Sequence, residues 1–277
     1  FYKNLGFMNI YKFSYDDKED AIRSLANYYQ VSDKVILIKG KTVCNDLEKR
    51  KDKIYGENEH LIGVREEELS EKIKLEKDKF FYELKNELSP NYSKSNDLII
   101  RINFYHRCSS DGRDSWFQEG LLNSVDGIEC FMKKLGSLVP DIQKMGISLE
   151  SLKNIIRRKG LAEEQSEKDG VNGFYRYKDA IDKENSGFDI PEVFGDLCKG
   201  ESYQKLKAKI LTVLKPTVVK FYVERDITEL NNILEYYWES VWNDEEVGQT
   251  ATNAGRGKTI PYENIERIDY LEKASNA

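Results

Sequence analysis

Two copies of Gly-Lys-Thr, Gly40-Lys41-Thr42 and Gly257-Lys258-Thr259, are the first residues whose type suggests chemistry, the cradling of a phosphate. A phosphate-binding loop needs a leading glycine ahead of that triplet, between a strand and a helix. Val35 and Thr252 stand in the leading places, and the second copy lies too near the C-terminus for a nucleotide-hydrolase sheet to follow. Neither copy reads as a phosphate loop. The two histidines, His60 and His106, exclude a His-rich metal site, and Cys44, Cys108, Cys130 and Cys198 form no C-x-x-C pair. Free thiols in a reducing compartment are expected. Three further segments carry ordered chemical potential. The first is Tyr105-His106-Arg107-Cys108-Ser109-Ser110, with Trp116-Phe117-Gln118-Glu119-Gly120-Leu121-Leu122 after it. The second is Gly173-Phe174-Tyr175-Arg176-Tyr177. The third is Ile260-Pro261-Tyr262-Glu263-Asn264-Ile265, with Glu245-Glu246-Val247 upstream. Imidazole, tyrosine rings and carboxylates thus recur in sequence. A lone histidine at a strand end is ordinarily structural; its neighbours make His106 a candidate.

In order and spacing these segments resemble the ADP-ribosyltransferase superfamily, in its His-Tyr-Glu branch. That branch includes poly(ADP-ribose) polymerases, tRNA 2′-phosphotransferases and bacterial toxins that modify nucleic acids. Its members commonly read Tyr-His-x-Thr/Ser at the end of the first core strand, then a helix ending in Glu-Gly-Leu, matched by His106 to Gly120. A Gly-x-Tyr strand is matched by Gly173 to Tyr175, and an Ile-Pro-x-Glu-x-Ile entry by Ile260 to Ile265. The resemblance covers roughly residues 97–272. It implies NAD as substrate. His106 would hydrogen-bond a ribose hydroxyl and orient NAD. Tyr175 would pack on the nicotinamide, with Tyr177 the alternate. Arg107, which replaces a family glycine, would contact the nicotinamide amide through its backbone with its side chain turned away, and Ser109 would join the same cofactor contacts. Cleaving the nicotinamide–ribose bond builds positive charge on the ribose, which a carboxylate stabilises. The family places that glutamate shortly before the Ile-Pro, but Thr252 to Thr259 holds no acid. Glu246 takes the role if Gln249 to Lys258 is an inserted target-facing loop, and Glu245 is next.

The activity so implied is a mono-ADP-ribosyltransferase acting on a macromolecular acceptor, nucleic acid or protein. By analogy with bacterial chains of this look, a toxin or antiphage effector is expected, with an antitoxin or other regulatory partner. A non-catalytic nucleotide- or partner-binding module on the same fold, and an NAD glycohydrolase, are the alternatives.

These residues need elements to position them. The expected class is α+β: an ADP-ribosyltransferase-like split β-sheet core with helices over 96–277, behind an N-terminal α/β accessory region over 1–95. The boundary falls in the turn-rich Ser89-Pro90-Asn91-Tyr92-Ser93-Lys94-Ser95-Asn96. In the first part, strands are expected at Asn9–Ser14 and Lys34–Lys39. Helices are expected at Asp16–Tyr29, Cys44–Lys53 and Glu66–Leu88. The second part opens with the strand Leu98–Tyr105. Helices follow at Asp114–Leu122, Gly127–Leu135 and Leu149–Arg158, and a strand Gly173–Tyr177 enters a helix Asp179–Glu184. Helices Tyr203–Leu214 and Thr228–Val241 flank a β-branched strand Thr217–Val223, and Ile265–Tyr270 closes the order.

Of 277 residues, 39% are hydrophobic and 33% charged, which supports a packed core with a solvated surface. The formal charge of −6 gives no global field for nucleic acid, although Lys153, Arg157, Arg158 and Lys159 form a local basic patch. No apolar run is long enough for a membrane span. Phe1-Tyr2-Lys3-Asn4-Leu5 lacks a secretory pattern and an initiator Met, so a trimmed, cytoplasmic chain is expected.

Overall fold

The computed structural model describes residues 9–90, 98–142, 147–159, 170–182, 190–191, 193–226, 229–242 and 251–272. Its elements run β1 (Asn9–Phe13), α1 (Lys18–Tyr29), α2 (Asp33–Glu57), α3 (Glu66–Leu88), β2 (Leu98–Ser110), α4 (Ser124–Leu138) and α5 (Leu149–Arg158). They continue β3 (Asn172–Phe174), α6 (Tyr177–Ile181), α7 (Val193–Leu197), α8 (Gly200–Val213), β4 (Lys215–Arg225), α9 (Leu230–Trp242), β5 (Ala251–Asn253) and β6 (Ile265–Tyr270). The class is α+β. The chain divides into two compact units, Phe1–Ile102 with Glu224–Gly248, and Asn103–Val223 with Gln249–Ala277. The expected cut at 95/96 assumed two successive segments. Instead the first unit takes in a later one, because α9 completes its core.

In that first unit, α1 starts at Asp17, whose side chain accepts from the Asp20 amide at 2.7 Å. Lys34–Lys39, expected as a strand, lies inside α2. Within its run of four apolar residues only Ile36 is fully buried, while Leu37 and Ile38 are 54% and 67% exposed. Ile36, Gly40, Val43 and Leu47 recur at helical spacing and make one buried stripe. A short apolar run does not distinguish strand from helix, and the longer period decides here. Gly40-Lys41-Thr42 therefore sits in mid-helix, where amides are committed to the preceding turn and cannot cradle a phosphate. The core is aromatic. Phe13 and Tyr15 pack on Tyr237 at 5.3 and 6.1 Å between centroids, and Tyr29 packs on Trp238 at 5.8 Å. Trp238 and Tyr237 are fully buried, so α9 closes this unit.

The second unit holds the sheet, in the order β5-β3-β2-β4-β6, with β2–β3, β3–β5 and β4–β6 antiparallel. Upstream, Leu98–Ile102 of β2 pairs in parallel with β1. The described strands form one open sheet, in which β2 pairs with β1, β3 and β4. The helix expected over Asp114–Leu122 is a 3₁₀ turn, Asp114–Phe117, and Gly120 redirects the chain after it with φ of +82°. The strand expected over Gly173–Tyr177 is shorter, since Tyr177 already begins α6. Helices α4, α5, α7 and α8 share a separate apolar core that includes Leu135, Leu152, Phe194 and Ile210. Trp116 and Phe131 pack against that core, with ring centroids 6.1 Å apart.

Candidate functional site

The site begins with strand alternation. Successive side chains of β2 point to opposite faces, so Phe104, His106 and Cys108 share one face, and Tyr105, Arg107 and Ser109 share the other. Ring contacts extend both groups. Tyr175 packs on Phe104 with centroids 4.8 Å apart, which puts it on the His106 face. Tyr177 packs on Tyr105 at 5.6 Å, on the opposite face, where α6 and Leu271 cover the sheet.

His106 is half-buried, and its Nδ1 lies 2.8 Å from the carbonyl oxygen of Asn172. A carbonyl only accepts, so Nδ1 carries the hydrogen and Nε2 keeps a lone pair. Burial holds the imidazole below its ordinary pKa of 6.5, against the smaller opposing pull of the Asn172 carbonyl. The residue is thus a neutral, oriented acceptor at pH 7. Gly173 follows on the same face. A Cβ there would meet the Phe104 Cβ at 2.9 Å and the Phe221 ring at 3.3 Å, so glycine is required by close packing. Phe104 and Phe221, both buried, make the apolar floor.

The first and third segments also meet. The Leu121 amide donates to the Ile260 carbonyl at 2.9 Å, and the Ile260 amide returns a bond to Leu121 at 2.8 Å. A Cβ on Gly120 would stand 2.1 Å from the Ile260 oxygen, so the Gly-Leu turn is fitted to the Ile-Pro strand entry. The amide of Asn123 adds a bond to the Thr259 hydroxyl at 3.3 Å.

Two expected cofactor contacts, Ser109 and Tyr177, fall on the opposite face, and the Arg107 side chain turns there too. The Arg107 side chain is buried with its guanidinium 4.7 Å from the Phe174 ring centroid. It donates from Nε to the Ala180 carbonyl at 2.7 Å and from Nη2 to that of Asp179, tying off the end of α6. The turned-away side chain matches the sequence reading; only the Arg107 backbone borders the His106 face. Tyr177 lies in the apolar cluster of Tyr105, Ala180 and Val218, with Arg267 over its ring at 5.0 Å. Ser109 is buried on that same face. Period-two alternation separates these side chains from His106, although sequence proximity had grouped them. Glu245 and Glu246 lie outside the described residues.

Neighbouring groups are quieter. Burial pushes the Cys108 thiol up to about 12, so it stays protonated and is no nucleophile. Of the basic patch, Lys153 pairs with Glu129, Arg157 with Glu150 and Lys159 with Asp196, so most of its field is offset locally. Arg101 pairs with Glu224 at 2.9 Å, as a surface strand residue would. No group of three metal-ligating side chains occurs among the described residues, and no described helix is long and apolar enough to cross a membrane. Sequence reasoning missed Asn172, whose backbone carbonyl orients His106. A carbonyl leaves no signature in residue type.

No family model, curated protein or solved structure matches the chain.

Proposed function

We propose that the chain is a mono-ADP-ribosyltransferase that takes NAD, releases nicotinamide and places ADP-ribose on a nucleic acid or protein. The observation that carries this reading is the convergence of His106 and Tyr175 on one sheet face, either side of a glycine that admits no side chain. The Leu121–Ile260 bridge supports it, since it joins two of the motifs that the resemblance rests on. In this reading the His106 Nε2 accepts from a ribose hydroxyl, and Tyr175 offers a flat ring on an aromatic floor to the nicotinamide. The ribose C1′–nicotinamide bond breaks with its electron pair leaving on nicotinamide. An acceptor oxygen or nitrogen bonds to C1′ and its proton passes to solvent.

A second reading, an NAD-binding module without turnover, draws on one observation: the described residues of β5 and the turn after it, Ala251 to Thr259, carry no carboxylate. Nicotinamide release by the pure protein, with cell nucleic acid and protein present, separates the two. Turnover that is lost in His106→Ala supports the transferase, with mass spectrometry locating the added ADP-ribose. Binding with no release supports the module. Release with no labelled acceptor points to a glycohydrolase.

A further inference from the structure

Helix α2 buries one stripe in the core of the first unit, Ile36, Gly40, Val43 and Leu47, and exposes another. The first half of the outer stripe carries Lys34, Leu37, Ile38 and Lys41, and the second half carries Glu48, Asp52 and Tyr55, all exposed. Steps of three and four residues hold them on one face over about 32 Å of helix. The halves are opposite in charge, and each has an apolar part. None of Lys34, Lys41, Glu48 and Asp52 forms an ion pair among the described residues. Lys51, a cation near Glu48, is itself held by Glu235 and Glu239. Lys49 and Lys53, beside the acidic half, pair with Asp46 and Glu57. The charge order opposes the field of the helix. A helix favours acids near its start and bases near its end, and on this face the bases come first. The order therefore does nothing for α2 in isolation, and Leu37 and Ile38 gain nothing from facing water.

We propose that this face is a self-association surface, against which a second copy of the chain lays its own α2 antiparallel about a two-fold axis. The inference stands apart from the transferase reading. With the axis beside Asn45, Lys41 meets Glu48 of the partner subunit, and Lys34 and Leu37 meet Tyr55 and Asp52 of the partner subunit. Two-fold symmetry makes each contact twice. Lys34, Lys41, Glu48 and Tyr55 recur at every seventh residue, the period on which two helices stay in register along a shared seam. Opposite charges face each other in this arrangement, and Leu37 and Ile38 are covered. A parallel pairing sets lysine on lysine and carboxylate on carboxylate, so charge selects the antiparallel one. One helix face is a small contact, which makes the dimer a weak and reversible one.

Sedimentation velocity on the full chain, at rising concentration in low and high salt, reads the association. Wild type should pass from monomer to dimer as concentration rises, and less readily in high salt. Lys34→Glu with Lys41→Glu makes the stripe acidic throughout, and Glu48→Lys with Asp52→Lys makes it basic throughout. Each double variant alone should dimerise at least about tenfold more weakly, from like charges brought together. An equimolar mixture of the two should regain association, because an acidic stripe then meets a basic one. All four positions are exposed, so melting temperatures should match wild type. Asn45→Cys, beside the axis, should give a disulfide-linked dimer with an added oxidant, and Leu37→Cys should not. Wild type, with its four half-buried thiols, is the control for that arm. If a charge variant fails to fold, Leu37→Ser with Ile38→Ser replaces it and should lose association equally. A wild type that stays monomeric at every concentration and salt overturns the inference. A dimer that the folded charge variants keep, a mixture that regains nothing, or crosslinking through Leu37→Cys in place of Asn45→Cys overturns it too.

Discussion

At the scale of single residues, protonation is set by burial. The folded pKa of His106 lies below the ordinary 6.5, so the unfolded chain binds the extra proton between the two values. The contribution of this group to stability is present above 6.5 and is lost as pH falls through the lower folded value. NAD binding should accordingly hold down through pH 6.5 and fail below it. His106→Ala should lower nicotinamide release on the order of a hundredfold, since the acceptor that orients the sugar is gone; a pH series of affinity and release rate checks both. In the other unit, Lys85 is buried, with Nζ donating to the Tyr28 carbonyl and standing 3.9 Å from the Tyr28 ring centroid. Burial brings its pKa from 10.5 down to about 8. The folded value is again the lower one. Stability from this group is complete above 10.5 and is lost as pH falls through about 8. Melting temperature should rise between these values in wild type relative to Lys85→Met, in which that difference in slope disappears.

At the scale of elements, short pairings hold the site together. Gly120 needs φ of +82° and leaves no room before the Ile260 oxygen. Gly120→Ala should break the Leu121–Ile260 bridge and cost about 1–3 kcal/mol by strain and overpacking, seen as a shift in denaturant midpoint. Gly173→Ala should be of similar size, because its Cβ would press on the Phe104 Cβ and not on a flexible side-chain end. The helices were the easier elements to read. Glu66–Leu88 and Leu149–Arg158 stand where charge and apolar period put them. Lys34–Lys39 was misread because a four-residue apolar run fits a buried strand and a helix start alike. β5 and α7 were missed because three and five residues are too few to show a period.

At the scale of the whole molecule, the first unit is made from two distant segments. Tyr237 and Trp238 of α9 fill the space between Phe13, Tyr15 and Tyr29, and Lys51 and Lys77 both pair with Glu235 on the same helix. A chain of residues 1–102 alone would expose this aromatic surface. It should bind a hydrophobic dye and lack the near-ultraviolet circular dichroism of a fixed core, and adding residues 224–248 in trans or by fusion should restore it. Trp238→Ala should cost about 3–5 kcal/mol in the intact chain, the size of the cavity left.

Residue order alone established the mixed α+β class, most helix positions and the candidacy of His106 and Tyr175, and it read neither Gly-Lys-Thr as a phosphate loop. These follow from local periodicity and residue type, which act over a few neighbours. Tertiary structure decided which candidates share a face. It set Arg107, Ser109 and Tyr177 on the far side of the sheet, gave His106 its tautomer through a backbone carbonyl, and brought Thr252 beside Gly173. Those relations depend on strand register between segments 66 to 81 residues apart. Register is fixed by packing across the sheet, and a one-residue slip would reverse every face.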